Sequence, residues 1–113
     1  MVIGMESILT SIKKLLGIGE DYEEFDQDII IHINTVLVAL TQMGIGPEEG
    51  FVISDRTALW SDFIPDNMVK VENVKTYVYL KVKMIFDPPA SSAVADAINR
   101  NASELEWRLT NHM

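Results

Sequence analysis

The residues able to do acid–base, metal or nucleophile chemistry are few in this chain of 113 residues, and their spacing assembles no reaction centre. The only histidines, His32 and His112, are far apart in sequence, and neither lies at a spacing from Cys, His or Glu that metals favour. His32 reads as a polar residue on the flank of a packed helix, and His112 as tail. The carboxylate pairs Glu104/Glu106 and Asp62/Asp66 are of the type that serves general acid and base roles, but with no cleft-forming pattern around them they read as solvated charges. Cysteine is absent, which removes disulfides, thiolate metal sites and thiol nucleophiles. Gly44-Ile45-Gly46-Pro47 lacks the Lys-Ser/Thr or repeated glycine spacing of a phosphate loop, and reads as a helix terminator and turn. The expectation is a protein that is not an enzyme and carries no cofactor or metal.

Charge narrows the partners. Nine Lys plus Arg against seventeen Asp plus Glu give a net charge of −8, so phosphate-neutralising contacts cannot cover the surface. The one local exception is the segment carrying Lys70, Lys75, Lys81 and Lys83 against Glu72. Such lysines either snorkel around an apolar stripe and pair with acidic neighbours or present a basic face. A subunit with a basic helix and acidic loops also has the two different, complementary patches that head-to-tail stacking needs.

These residues must be carried by helices. Ile8, Leu9, Ile12, Leu15 and Leu16 recur at helical spacing from about Met5 to Leu16, with Lys13 and Lys14 near the end and Gly17 beyond. The acidic run from Gly19 to Glu24 links this to a second helix from about Phe25 to Met43, whose face holds Ile29, Ile33, Val36, Leu37 and Leu40. Between Gly44 and Asn67 the pattern breaks up around Gly46-Pro47, Gly50 and Pro65. There Phe51-Val52-Ile53 suits a short strand or extended segment, and Thr57 to Ile64 a turn of helix, with Leu59, Trp60 and Phe63 anchoring the loop.

A third long helix is expected from about Met68 to Phe86, with a stripe of Val71, Val74, Val78, Val82 and Ile85. The partial alternation from Tyr77 to Met84 is compatible with strand, but the length favours helix. Asp87-Pro88-Pro89 stops it. Ser91 or Ser92 then caps a last helix to about Leu109, burying Val94, Ile98, Ala102, Leu105 and Leu109. The fold class is therefore all-α: one domain over residues 1–113, about four helices in a small bundle, with a long irregular loop between the second and third. Long structured loops in compact domains are often functional, so this one is the first place to look for partner contacts.

Some apolar residues fall outside that core. Ile31 and Val38 lie nearly opposite the buried face of the second helix at about 100° per residue. Trp107 lies about 180° from the Ile98 and Leu105 side of the last helix, either facing another chain or packing on a loop of its own. The start, Met1 to Glu6, has no signal-peptide pattern, and no apolar run is long enough for a membrane span. A soluble protein with no membrane partner is expected.

The order and spacing of certain strings carry a resemblance over essentially the whole chain. Gly50-Phe51-Val52-Ile53, Trp60-Ser61-Asp62-Phe63, Val74-Lys75-Thr76-Tyr77-Val78-Tyr79-Leu80-Lys81-Val82-Lys83, Phe86-Asp87-Pro88-Pro89 and Glu104-Leu105-Glu106-Trp107-Arg108-Leu109 follow one another in a way that resembles the small head-to-tail connector, or adaptor, proteins of tailed bacteriophages and Gram-positive prophages. The resemblance implies a structural subunit without catalysis. It would form a homo-oligomeric ring under the portal protein, extend the DNA channel and offer a platform for stopper or tail-completion proteins, with DNA only as passing cargo. It implies a place first in the host cytoplasm during assembly and then at the head–tail interface of the virion. In that family the last helix and the inter-helix loop make portal and neighbour contacts. With the two outward residues of the second helix, this nominates Phe51, Ile53, Trp60, Phe63, Glu104, Trp107, Arg108, Leu109, Ile31 and Val38 as interface residues.

Two other classes compete. A small acidic intracellular module that binds and regulates a protein partner would need an ordered acidic face. A helix-turn-helix DNA binder would need a tight turn before a basic helix, and the long loop before the lysine-bearing helix argues against it.

Overall fold

Ser7 starts the first helix by accepting a hydrogen bond from the Thr10 amide at 3.1 Å, which satisfies one of the donors a helix start leaves without a partner. In the computed structural model, which describes residues 6–65 and 68–111, this helix is α1, Ile8–Leu15. Gly17 ends it with a positive φ of 83°, and the amides of Gly17 and Ile18 bond back to the carbonyls of Lys14 and Lys13, the paired closure that an L side chain at this position would strain. The second helix, α2, Asp26–Gln42, ends the same way: Gly44 and Ile45 bond back to Thr41 and Leu40. A single turn, α3, Trp60–Phe63, follows inside the irregular region, then α4, Met68–Phe86, and α5, Ser92–Asn111. No strand forms among the described residues; the one β-bridge pairs Ser7 with Leu59.

The expected all-α bundle is what forms, with four main helices at close to the anticipated bounds and one extra turn in the loop. The expected Met5 start of α1, Asp66, Asn67 and His112 fall outside the described residues. Helix α4 is the hub, packing against α1, α2 and α5. Ile29, Ile33, Val36, Leu37 and Leu40 of α2 are buried, joined by Ile30, and face Val71, Val74, Val78 and Val82 of α4. Phe25 at the start of α2 meets Phe86 at the end of α4, ring centroids 5.4 Å apart, so the two helices run in opposite directions.

Two stripe positions depart from expectation. Ile85 is exposed, because Phe86 takes the inward place against Phe25 and His32 and leaves the preceding residue outside. Val94, in the first turn of α5 after Pro88-Pro89, is also exposed. Ile98 and Leu105 are half-buried, and only Ala102 and Leu109 of this helix are fully buried. This 20-residue helix thus packs along α4 while burying few of its own side chains fully.

Candidate interaction surfaces

The irregular segment is fastened to the body at three places. Asn34 of α2 uses its side-chain amide as a strand edge would use its backbone: its Nδ2 donates to the Ile53 carbonyl at 2.9 Å, and its Oδ1 accepts from the Ile53 amide at 2.7 Å. Both polar groups of an inward residue are thereby paired. Phe51-Val52-Ile53 is accordingly extended but joins no strand. Ile53 points inward, Phe51 is half-buried, and Val52 between them is 61% exposed, the alternation of an extended chain.

The second fastening runs along residues 58–60. The Ile8 amide donates to the Ala58 carbonyl at 3.0 Å and the Trp60 amide to the Glu6 carbonyl at 3.1 Å. Asp62 closes the α3 turn by accepting from the Leu59 amide at 2.8 Å. The third is the Trp60 side chain, fully buried, whose indole N–H donates to the Ser11 hydroxyl at 2.8 Å. Ser11 in turn donates to the Ile8 carbonyl at 3.1 Å, so the one polar atom of the indole is satisfied inside the core. Phe63 and Ile64 are buried beside it, and Phe51 lies against Phe63 at 5.3 Å.

Gly46 makes this packing possible. Its φ is 87°, and a β-carbon there would run into the Phe63 ring.

What remains outside forms a groove of about 410 Å³ between the last turns of α2 and the loop. Val38, Phe51 and Val52 supply its apolar lining, and Thr41, Gln42, Glu48 and Glu49 its polar lining. Ile31, 60% exposed, sits two turns before Val38 on the same side of α2. On the far side of α4, helix α5 turns Trp107 outward at 65% exposure, beside Ser103, Glu106 and Thr110. Arg108 pairs with Glu104 on the same helix. A third apolar area, Tyr22, Phe25 and Phe86, is a chain of ring contacts that ends at His32, 6.4 Å from Phe86.

The interface candidates read from sequence therefore divide. Ile31, Val38, Glu104, Trp107 and Arg108 are outward, and Phe51 lines the groove. Ile53, Trp60, Phe63 and Leu109 are buried in the chain's own core; their contribution to any contact is to hold the loop and α5 in place. Val52 went unnoticed, although alternation within an extended Phe51-Val52-Ile53 would have turned it out. The Tyr22–Phe25–Phe86 chain was also missed, because it joins the α1–α2 link to the far end of α4.

Several charged groups are engaged. Lys75 reaches Glu6 at 3.0 Å and Lys83 reaches Asp87 at 3.2 Å, the pairing expected of lysines on a core helix. Lys13 is almost completely buried: its ammonium meets Asp26 at 2.8 Å and the carbonyls of Tyr22 and Glu20 at 2.7 and 3.2 Å. It fixes the acidic α1–α2 link to the body. Tyr77 is pushed up to about 12, first by burial, then by the charge of Glu106 and the hydrogen bond to it at 3.1 Å. Asp55 is held below the ordinary carboxylate range mainly by the hydroxyl and amide of Thr57, which close a local turn. No group of three or more His, Asp or Glu able to hold a metal occurs among the described residues. No described helix is long and apolar enough to cross a membrane.

The family model described as phage connector protein matches residues 8–113. No curated protein and no solved structure matches the chain.

Proposed function

The chain belongs to the phage connector protein family, a structural component of the virion, and on that premise we propose that it is a head–tail adaptor that assembles as a ring under the portal protein. The ring would continue the DNA channel and present its lower face to a stopper or tail-completion protein, with DNA passing through as cargo. Subunits would gather from the host cytoplasm during assembly.

The observation that carries this reading is the apolar surface left over after the core is complete. Ile31, Val38, Val52 and Trp107 remain exposed on a body whose interior is already filled by side chains from α1, α2, α3 and α4. Large exposed apolar residues next to polar rims mark contact surfaces between proteins. The net charge of −8 suits a channel wall along which DNA slides without adhering.

Light scattering after size-exclusion chromatography tests it, on the protein alone and with the portal protein of the same genome, over a range of concentrations. A ring-sized species, alone or on the portal, is the expected result. A strict monomer that ignores the portal overturns the adaptor reading and favours an acidic module that binds another protein.

A further inference from the structure

We propose that the acidic link between α1 and α2 is a strap held shut at one point, the buried ammonium of Lys13, and that residues 19–24 open from that point as a unit while the helices stay folded. The device belongs to the single chain and holds whether or not copies assemble into a ring.

Residues 19–24 are tied to the body through very few bonds. All of them are exposed, and their backbone bonds are local: the Tyr22 amide donates to the Gly19 carbonyl at 3.1 Å, and the Asp26 amide to the Glu23 carbonyl at 3.2 Å. Among the described residues, the hydrogen bonds that tie this stretch to the body come from Lys13, whose ammonium donates to the carbonyls of Glu20 at 3.2 Å and Tyr22 at 2.7 Å.

Two opposing electrostatic effects act on the strap. Lys13 is 2% exposed, and an ammonium so placed is stable only while its charge and its donors are met. Asp26, whose Oδ1 lies 2.8 Å away, meets the charge, and the two link carbonyls meet the donors. Against this, Glu20, Asp21, Glu23 and Glu24 crowd four like charges into five consecutive residues, and their repulsion is relieved by release into water. Salt screens exposed charges far more than a buried pair, so raising the ionic strength closes the strap.

The ends of the strap confine the opening. Gly17 and Gly19 bracket its start and supply a hinge. At the other end the contact of Phe25 with Phe86, 5.4 Å between ring centroids, keeps the beginning of α2 on α4. Opening therefore turns out Tyr22 and the four carboxylates together and leaves the body closed behind them.

Acetylation of the full chain by an N-hydroxysuccinimide ester of acetate, read by mass spectrometry, tests this on the unaltered protein, with exposed Lys14 as the internal reference. Lys13 reacts only when the strap is open. The expected rate, relative to Lys14, is flat at low urea, because a local opening exposes little surface, and falls as ionic strength rises. A rate that climbs with urea in step with global unfolding overturns the proposal, and so does one that fails to fall with ionic strength. Gly46→Ala, which strains the loop beyond the opposite end of α2, lowers the stability of closed and open forms alike. It should leave the Lys13 rate within about twofold of the parent; acceleration in proportion to the lost stability overturns the proposal.

Lys13→Met removes the latch and keeps an apolar stem in its place. A glutamate-specific protease should then cut after Glu20, Glu23 or Glu24 about tenfold to a hundredfold faster than in the parent, as expected from losing hydrogen bonds to a charged group, and before it cuts after Glu72 in α4. Cleavage in the strap no faster than in the parent overturns the proposal. The acetylation readings use chains that keep Lys13, and they decide the matter if Lys13→Met does not fold.

Discussion

The loop between α2 and α4 and the helix α5 reverse the usual relation between regular structure and rigidity. The loop has one turn of helix in more than twenty residues, yet it supplies Ile45, Ile53, Trp60, Phe63 and Ile64 to the core and is tied to α1 and α2 by backbone and side-chain hydrogen bonds. Helix α5 satisfies its own backbone over 20 residues, yet only Ala102 and Leu109 are fully buried. A helix needs no neighbour to pair its amides and carbonyls, whereas an irregular segment must find partners for each buried one. The loop is therefore held because it is irregular, and α5 is free to offer a face because it is not.

The sharpest way to break this comparison is to remove one tryptophan from each region. Trp60→Ala deletes a fully buried ring and leaves Ser11 without its donor, with an expected loss of about 3–5 kcal/mol in chemical denaturation. Trp107→Ala should leave the stability of the monomer within about 0.5 kcal/mol of the parent, because its ring is mostly in solvent. Equal losses would mean that α5 is as integral to the body as the loop.

Gly46→Ala probes how tightly the loop is seated. It forces a left-handed backbone on a residue with a β-carbon and pushes that carbon into the Phe63 ring; roughly 2–4 kcal/mol is expected, combining the backbone and overpacking costs. Asn34→Ala comes next. It leaves the amide and carbonyl of a buried Ile53 without partners, at about 1–3 kcal/mol. Hydrogen exchange should show the loss first at residues 51–53, with α5 unaffected.

The helices were legible in the sequence because a 3.6-residue period is written within each segment, and the glycine stops at Gly17 and Gly44 are local signals. The fastening of the loop was not, because each fastener spans a distance that no window covers: Asn34 to Ile53, Ser11 to Trp60, Ser7 to Leu59. Lys13 shows the same limit. Its place near the end of α1 gave no sign of burial, but the chain turns back at Gly17 and wraps its ammonium in carbonyls and a carboxylate. The periodicity of α5 turned Trp107 away from the buried side, leaving open whether a loop covered it, and the structure leaves it exposed. The family strings mixed both kinds of residue: Trp60 and Phe63 serve the core, while Val52 and Trp107 face outward.

The smallest effect separates the seam of α5 from the rest of the body by pH. Tyr77 on α4 donates its hydroxyl to Glu106 on α5 at 3.1 Å, and burial with that carboxylate raises it from 10.0 to about 12. A proton held more tightly in the folded state than in the unfolded one contributes stability that is fully present below the unfolded value of 10.0 and lost as pH climbs through about 12. Denaturation at a series of alkaline pH values should therefore show the parent losing stability across that window more steeply than Tyr77→Phe, which has no proton to give up. Below pH 10 the variant should be slightly weaker than the parent, by about 0.5–1.5 kcal/mol for one hydrogen bond. Since the bond ties α4 to α5 and touches nothing in the loop, the alkaline loss should appear in exchange of the α5 amides before those around Asn34. Simultaneous opening of both regions would show that α5 and the loop form one cooperative unit despite their unequal burial.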